Sequence, residues 1–454
     1  MFLAPVCKPN IFTVKCVKCV LGLPAAPGVS RATFNVRPRR HLRMFLTLLM
    51  ATLKPFAALR PDPERAAQIC ELPYDVMSSE EARQIATGNP LSFLHVSKPE
   101  IDFPAGTNTY SPEVYAKGSE SFDRLIRSGA LKPDSTPAFY LYRQIMGRHS
   151  QVGLVAAASC QEYLDGIIRK HELTRPEKED DRLRHIEALD AQTGPVFLTY
   201  RGVPAIDELV NAETAKAPAI DFAAPDGVRH SAWVIEDAAT IQLIERHFAR
   251  IPLLYIADGH HRSAAAARAY RARNGAGHSA WFLAVIVPHN QVQILPYHRV
   301  VKDLNGLAPE RLIEKLEAVF VIKPDGAGRP ARPHVVGLYL AGQWRTLIFR
   351  PQFAATTDPI ERLDVTLLQK YVLDPIFQID NPRTSKRIDF VGGIRGTPEL
   401  ERRVNRGEYA CAFSLFPTAI DDLMTIADAG GTMPPKSTWF EPKLRDGMFC
   451  HRLT

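Results

Sequence analysis

The chain has 454 residues, about three times the usual length of one domain. Its hydrophobic share of 46% and charged share of 23% are ordinary globular values, so a disordered, collagen-like or coiled-coil protein is excluded. The net charge of +7 comes from residues 1–50, which hold eight Lys or Arg and no Asp or Glu, and the rest of the chain is left with −1. A nearly neutral body does not predict binding to nucleic acid, and no stretch approaches the roughly 18 apolar residues of a membrane helix.

Residues 1–49 differ in character from the rest of the chain. The segment is basic, proline-spotted and aperiodic, which allows three interpretations: a transit peptide, a secretory signal, or upstream sequence ahead of a true start at Met44 or Met50. The secretory signal fits poorly because the apolar run is short, and we favour the misplaced start. We expect a non-structural extension, in which the lone pair Cys16 and Cys19 predicts no metal or redox site. The few scattered cysteines that follow predict a reducing, cytoplasmic location.

Helix and strand patterns alternate through residues 50–304. A hydroxyl followed by acidic residues at Ser78–Glu81 marks a helix start, and Gly147–Ser150 between two β-like runs marks a hairpin. We predict helices over 78–86, 112–128, 182–192, 238–250 and 262–273. We predict strands over 91–96, 138–146, 151–159, 196–200, 252–257 and 281–287.

A second region of helices and strands is predicted over residues 305–454. Its elements are a helix over 309–319, hairpin strands around Gly342, a helix over 360–372, strands over 388–391 and 409–415, and a helix over 418–429. An aromatic and apolar tail over 433–443 follows them, and we expect it to dock on the body. This order of elements predicts a mixed α/β (α+β) fold with an N-terminal region, 50–304, and a C-terminal α/β region, 305–454.

The most informative segment is Ile256–Ser263, where a predicted strand turns into a predicted helix. Gly259 allows a tight turn, and the helix N-terminus offers unpaired amides and a positive dipole end. Arg262 and one of the two preceding histidines would complete a site for phosphate or carboxylate. The alternative is a plain helix start, with Asp258 as its N-cap and a solvated basic first turn. Cations are unfavourable at a helix N-terminus unless an anion offsets them, which favours the ligand site.

The same segment does not predict a metal centre. His260 and His261 are adjacent, so on a regular helix their side chains diverge by about 100° and do not face one ion. His171 and Glu172 begin an HExxH pattern, but Arg175 stands where the second histidine is required. We therefore expect no protein-bound metal.

Three other places offer polar groups to the turn. His171, Glu172 and Arg182 belong to a charged segment, which is either a solvated helix and loop or a set of side chains that converges on the turn. Asp75 lies on a predicted loop and is a candidate general base or magnesium ligand, or only a cap. Lys436 lies in the tail, which is either a docked strand or a lid that gives this lysine to an anion.

Five ordered motifs span the chain from about Met50 to the C-terminus. They are Pro73-Tyr74-Asp75-Val76, Gly88-Asn89-Pro90 with Phe93-Leu94-His95-Val96, His171-Glu172-Leu173-Thr174, Ala257–Arg262 and Met433–Lys443. In this order they resemble the bacterial domain-of-unknown-function family 1015. Glu71-Leu72 departs from the family pattern, which has small or proline residues there, and this weakens any role for Glu71.

Within these motifs, Asp258-Gly259-His260-His261-Arg262 is similar to the phosphate-binding signature of the ParB/sulfiredoxin-like nucleotide-binding group, which includes free-serine kinases. The similarity implies a ParB/sulfiredoxin-like nucleotide-binding core and phosphate contacts from the turn. The candidate ligand-binding residues are Gly259, Arg262, Ser263, His171, Arg182 and Lys436. The candidate catalytic residues are Asp258, His260, His261, Asp75 and Glu172.

One functional hypothesis and one alternative follow. The hypothesis is a phosphotransferase of the kinase type, or a phosphatase, that binds ATP, ADP or another phosphorylated metabolite with Mg²⁺ and acts on serine or phosphoserine. The alternative is a non-catalytic sensor that uses the same phosphate-binding turn. Because the group includes ParB, binding to nucleic acid is a third option, but the −1 charge of the body argues against it. The expected partner is a small ligand, while the oligomeric state and the direction of reaction stay open.

Overall fold

The computed structural model describes residues 50–454, which belong to a compact unit running from Leu48 to Thr454. The predictions for residues 1–49, including those for the Cys16 and Cys19 pair, lie outside the described residues. The region boundary near residue 305 stays a prediction. Across 50–454, no helix combines the length and the apolar character that a membrane crossing requires.

Strands of the described residues form two larger sheets and three two-stranded pairs. In chain order they are β1 (Leu53–Lys54), β2 (Leu59–Pro61), β3 (Leu131–Pro133), β4 (Phe139–Met146), β5 (His149–Ser159), β6 (Ile168–Arg169), β7 (Ala191–Gln192), β8 (Val196–Tyr200), β9 (Ile220–Ala223), β10 (Arg229–Ile235), β11 (Leu254–Asp258), β12 (Trp281–Pro288), β13 (Gln293–Leu295), β14 (Tyr297–Val301), β15 (Phe320–Lys323), β16 (Val335–Leu340), β17 (Gln343–Phe349), β18 (Ile388–Gly392), β19 (Cys411–Ser414), β20 (Trp439–Glu441) and β21 (His451–Arg452).

Helices surround both sheets. In chain order they are α1 (Ala66–Ile69), α2 (Ser79–Ala86), α3 (Leu94–Ser97), α4 (Pro112–Arg127), α5 (Cys160–Asp165), α6 (Pro176–Leu189), α7 (Pro204–Thr214), α8 (Ala238–Phe248), α9 (His260–Ala272), α10 (Pro309–Glu317), α11 (Pro351–Ala354), α12 (Asp364–Leu368), α13 (Gly396–Asn405) and α14 (Ile420–Asp428). Short 3-10 turns include Tyr74–Val76 and Pro99–Asp102, and a π-helical turn, Gln369–Leu373, continues α12.

The first sheet has mixed strand directions and the order β6-β11-β8-β12-β5-β4-β10-β9, with β1 paired to β5. Its central strand β12 runs parallel to β8 and antiparallel to β5. Successive residues of β4 and β12 enter different hydrophobic clusters: Tyr140 and Leu283 lie in one, and Phe139 and Phe282 in the other. Both faces of the sheet are therefore covered, which explains why its strands are continuous apolar runs.

The second sheet has the order β15-β17-β16-β19-β14-β18, and all of its pairings are antiparallel. Its core residues, such as Leu338 and Phe413, belong to the same hydrophobic cluster as Tyr140 and Leu283 of the first sheet. The mixed α/β class is thereby confirmed, together with α/β structure in the C-terminal part of the chain.

Most predicted elements are present with ends shifted by a few residues, and three differ more. The helix predicted over 182–192 begins earlier, at Pro176, and ends at Leu189, and Ala191–Gln192 is strand β7. The strand predicted over 91–96 is wrong: Leu94–Ser97 is a helical turn, and Leu94 and Val96 are fully buried. A short apolar run does not distinguish a buried strand from a buried helical turn. The helix predicted over 360–372 begins later, at Asp364, and its second half is the π-helical turn.

The tail after α14 runs back across the body. β20 pairs with β13 of the segment between the two sheets, and Glu71 bridges Asp446. Cys450 bridges Leu59, and β21 pairs with β7. These contacts join the C-terminus to segments near residues 59, 71 and 192, and they place residues 436–443 beside the β11–α9 turn.

Candidate functional site

Gly259 shapes the turn between β11 and α9. Its φ of 97° lies in the left-handed region, which costs a residue with a side chain about 1–2 kcal/mol. A Cβ on Gly259 would also lie 3.1 Å from Arg262 Nε and 3.3 Å from Val196 Cα. Gly259 is the N-cap of α9, and no side chain caps this helix. Asp258 is therefore not an N-cap, which argues against the alternative of a plain helix start capped by Asp258.

The first amides of α9 are free. The first hydrogen bond at this end joins the Ser263 N–H to the Gly259 carbonyl at 2.9 Å. In residues 50–454, no acceptor is found for the amides of His260, His261 and Arg262. Unpaired amides at the positive end of a helix dipole attract anions.

The turn lies in the wall of a cavity of about 500 Å³. The rest of the wall comes from the Tyr74–Val76 turn, the start of α4, helix α6 and tail residues 436–440. Seven Lys or Arg and five Asp or Glu line the cavity, an excess of cations in a body of net charge −1. Its volume suits a small molecule, and its charge favours an anionic one.

Asp258 is held ionised by two cations. Its Oδ2 accepts a hydrogen bond from Lys443 Nζ at 2.9 Å, and its Oδ1 lies 3.6 Å from Arg262 Nη2. Burial opposes ionisation, but Lys443 and Arg262 outweigh it and hold the pKa of Asp258 well below its usual range. An ionised, paired carboxylate is a poor proton acceptor, so Asp258 is better suited to positioning the two cations.

Arg262 lies under the turn with 9% of its surface exposed. Its Nη1 donates to the Pro195 carbonyl, and its Nη2 lies 3.9 Å from Asp75. Its buried Nε has no hydrogen-bond partner among the described residues. Burial disfavours the charge, but Asp75 and Asp258 outweigh burial and raise the pKa of Arg262. Arg262 is thus a permanent cation at the start of α9.

Three of the predicted residues form a tight cluster at one side of the cavity. The rings of His171 and His260 meet edge to face, with centroids 4.4 Å apart. Ligand atoms of His171, Glu172 and His260 all lie within 4.8 Å of one another. Burial lowers the pKa of His171 to about 4 and the pKa of His260 well below its usual range. Both imidazoles are therefore neutral at pH 7.

Glu172 has a different character from Asp258. Its side chain lines the cavity, and burial raises its pKa, with Lys436 opposing the shift. No hydrogen-bond donor for Glu172 or for Asp75 is found within residues 50–454. Glu172 is therefore free to accept a proton or to bind a cation, while Asp75 also lies 3.9 Å from Arg262 Nη2.

His261 and Arg182 line the cavity but are engaged by other residues. His261 Nε2 accepts the Arg175 N–H at 3.1 Å. Arg182 donates from Nη2 to Asp181 Oδ2 at 2.8 Å, and its guanidinium stacks 3.8 Å from the Tyr74 ring centroid. Asp181 therefore neutralises much of the positive charge of Arg182, which the sequence predicts to bind the ligand.

Lys436 and Ser263 differ in access to the cavity. Lys436 is exposed, lies 5.1 Å from the centroid of the Tyr297 ring, and has no ion pair with any described residue. Ser263 is fully buried, and its hydroxyl donates to the His260 carbonyl at 3.0 Å. Ser263 therefore braces the first turn of α9 and does not line the cavity.

Sequence reasoning missed Lys443, Tyr74 and Asp181. Lys443 was visible as the second lysine of the tail motif, but its distance of 185 positions from Asp258 gave no signal of their pairing. Tyr74 is part of the Pro73–Val76 motif, and Asp181 is part of the charged segment that includes Arg182. In both segments the sequence favours the neighbouring charged residue, Asp75 or Arg182, as the candidate site residue.

Solved structures with distant similarity include SbnI with a C-terminal truncation from Staphylococcus aureus, at 12% identity over 64% of this chain and 85% of that chain, with a TM-score of 0.36. A free serine kinase in complex with AMP has 13% identity over 63% of this chain and 86% of its own, with a TM-score of 0.33. A conserved hypothetical protein from Pyrococcus furiosus has 14% identity over 65% and 93%, with a TM-score of 0.32. Among curated proteins no match was found.

The family comparison covers most of the body. A model described as "Protein of unknown function (DUF1015)" matches residues 53–366. This range contains the Tyr74–Val76 turn, the cluster at residues 171 and 172, and the β11–α9 turn. The match agrees with the resemblance read from the ordered motifs, and the chain belongs to the DUF1015 family.

Proposed function

We propose that the cavity binds a nucleotide or another phosphorylated metabolite and transfers a phosphoryl group between it and a small hydroxyl-bearing substrate. The observation that carries the proposal is the set of free amides at the start of α9, in the wall of a cavity with more cations than acids. The helix dipole, the amides and the cations all favour the same ligand charge. Serine and phosphoserine are the substrates that we propose to test first.

The phosphate end of the ligand would face the turn. Arg262 supplies a buried positive charge there, and the amides of His260 and His261 supply directed donors. Lys436 is an exposed cation of the cavity wall, and no carboxylate among residues 50–454 pairs with it. The ammonium group of such a lysine is suited to neutralising the negative charge of a phosphoryl group during its transfer.

The proton of the attacking hydroxyl needs an acceptor in the cavity. Of the five cavity carboxylates, Asp75 and Glu172 receive no hydrogen bond from a residue of 50–454, although Asp75 lies 3.9 Å from Arg262 Nη2. In the proposed step the hydroxyl oxygen bonds to phosphorus, the bond from phosphorus to the leaving oxygen breaks, and the proton passes to one of these carboxylates. Asp258 is excluded from this role because Lys443 and Arg262 hold its pKa low.

Magnesium fits the carboxylates of this cavity. Mg²⁺ prefers one or two carboxylates together with phosphate oxygens, and the member of the pair Asp75 and Glu172 that does not accept the proton is the fitting ligand. When bound, the ion would supply positive charge to the phosphate oxygens. The cavity residues themselves bind and orient the ligand and accept the proton.

The binding half of the proposal is tested by titrating AMP, ADP, ATP, serine and phosphoserine into the protein by calorimetry. The expected result is binding of at least one phosphorylated ligand, about tenfold weaker in Lys436→Ala, since a charge-assisted contact contributes about 1.5–3 kcal/mol. Lys302→Ala removes an exposed lysine outside the cavity and should bind like wild type. If none of the ligands binds, the proposal fails.

The catalytic half is tested by turnover. With ATP or ADP, serine and Mg²⁺, the wild type should form phosphoserine, and either Asp75→Asn or Glu172→Gln should abolish turnover while binding of the nucleotide persists. Tight binding without turnover by the wild type would instead support the non-catalytic sensor. Glu172, which pairs with no cation of residues 50–454, favours transfer over sensing, because binding an anion does not require it.

A further inference from the structure

One side of the cavity holds a cluster of groups typical of metal ligands. The ligand atoms of His171, Glu172 and His260 lie within 4.8 Å of one another. Glu172 and His260 face the cavity, while His171 lies behind them with 3% of its surface exposed. Two imidazoles and one carboxylate are the ligand set of many open zinc sites in proteins.

His171 is unusual because a buried ring nitrogen has no partner. Its Nδ1 is buried and makes no hydrogen bond to any described residue. An unpaired buried nitrogen is costly unless something binds it.

The backbone around His171 holds this side chain in place. The Met433 N–H donates to the His171 carbonyl at 2.8 Å, which ties the segment to the tail. His260 Nε2 accepts a hydrogen bond from the His171 N–H at 3.4 Å, which is longer than a usual N–H hydrogen bond. A metal ion at this nitrogen would replace that long bond.

We propose that His171, Glu172 and His260 form a binding site for one divalent transition metal ion of the zinc type. The sequence predicted no such site because it offered His261 as the partner of His260, and these two side chains diverge. The fold supplies the partner from 89 positions away, and no spacing rule reveals that pairing.

The chemistry of the cluster favours a transition metal over Mg²⁺. Imidazole nitrogen suits Zn²⁺ and similar late transition metals better than Mg²⁺ or Mn²⁺, which prefer oxygen ligands. Three protein ligands would leave the coordination sphere open toward the cavity.

The metal site goes beyond the proposed function and does not depend on it. If Glu172 binds the ion, Asp75 is the carboxylate that stays free to accept a proton. Metal binding is measurable without nucleotide or substrate, so failure of the metal site and failure of phosphoryl transfer are separate results.

The test uses the full-length protein stripped with a chelator and dialysed against Zn²⁺, Mn²⁺ and Mg²⁺ in turn, with bound metal measured by elemental analysis. We expect about one equivalent of Zn²⁺, weaker retention of Mn²⁺ and no retention of Mg²⁺. His171→Ala and Glu172→Gln should each weaken metal binding by at least tenfold. His261→Ala, which removes a neighbouring histidine outside the cluster, is the matched control and should keep the metal.

A second readout covers the case in which His171→Ala does not fold. Co²⁺ added to the stripped wild type should give visible absorption of a nitrogen-ligated ion, and Glu172→Gln, a near-isosteric change at a partly exposed residue, should alter the spectrum. Absence of bound transition metal in the wild type would overturn the proposal. Equal loss of metal from His261→Ala and Glu172→Gln would also overturn it.

Discussion

Lys443 and Asp258 form an ion pair beside the β11–α9 turn. The lysine side chain is only 9% exposed, and it donates to Asp258 at 2.9 Å. Removing the lysine leaves Asp258, whose side chain is 28% exposed, with Arg262 at 3.6 Å as its remaining cation, so the cost should be below the roughly 3 kcal/mol of a fully buried pair. Lys443→Met should therefore lower the free energy of unfolding by about 1–2 kcal/mol in denaturant titrations.

Lys436→Met is the matched control for this prediction. Lys436 lies in the same tail but is exposed and has no ion pair among the described residues, so its replacement should change stability by less than about 0.5 kcal/mol. Equal effects of the two substitutions would show that Lys443 acts through general tail packing and not through Asp258.

Asp446 should make stability depend on pH. Burial raises its pKa to about 7, with Arg262 opposing the shift, and its buried Oδ1 has no hydrogen-bond partner in the described part of the chain. Folding raises this pKa from about 3.9 in the unfolded chain, so the protonated Asp446 side chain contributes to the stability of the folded state. This contribution is fully present below pH 4 and is lost as the pH rises to about 7.

Asp446→Asn removes this titration, so the melting temperature of the variant relative to wild type should rise between pH 5 and pH 8. Asp226→Asn is a contrasting control, because it removes an ion pair with Arg445 and should lower stability at neutral pH. Parallel pH profiles of wild type and Asp446→Asn would contradict the assignment.

At the scale of elements, the geometry of the β11–α9 turn depends on a glycine. Gly259→Ala should cost about 1–2 kcal/mol from backbone strain alone, and more because the new Cβ meets Arg262 and Val196 at 3.1–3.3 Å. Gly88→Ala separates the two effects, since Gly88 also has a positive φ, of 75°, but nothing within 4 Å of an added Cβ. Thermal unfolding should show the larger loss for Gly259→Ala, and equal losses would rule out the steric contribution.

Elements with a strong local signal were predictable from the sequence. The helix start at residue 78 was recognised from its hydroxyl and acid pattern, and the structure has the reciprocal capping box of Ser78 and Glu81. The strand predicted over 196–200 is β8, a run of buried residues. The segment over 91–96 failed because its burial against α4 is a tertiary effect, and either conformation would satisfy its short apolar pattern.

The candidate site was only partly predictable, for a similar reason. The β11–α9 turn is contiguous, and its glycine, cations and helix start could be read together. The pairing of His171 with His260 and the contact of Lys443 with Asp258 join residues that are 89 and 185 positions apart. Such contacts follow from sheet order and from the path of the tail, and local periodicity carries no information about either.

At the scale of the whole molecule, the tail is expected to stabilise the entire body. Phe449 is fully buried and packs on Tyr140 and Tyr142, with ring centroids 5.2 and 5.9 Å away. Phe449→Ala should cost about 3–5 kcal/mol in a single cooperative unfolding transition. Ile394→Ala, at a half-exposed site, should cost far less.

Removal of residues 430–454 should destabilise the whole protein, and a soluble truncation with unchanged ligand binding would contradict this.

The central claim is that the start of α9 binds phosphate, and Arg262→Gln tests it most directly. Glutamine keeps a donor near the Pro195 carbonyl but removes the buried charge beside Asp75 and Asp258. We would measure, by calorimetry, the affinity of wild type and variant for the tightest phosphorylated ligand, after circular dichroism shows that both are folded. The account predicts a loss of about tenfold or more, and unchanged affinity in a folded variant would contradict it.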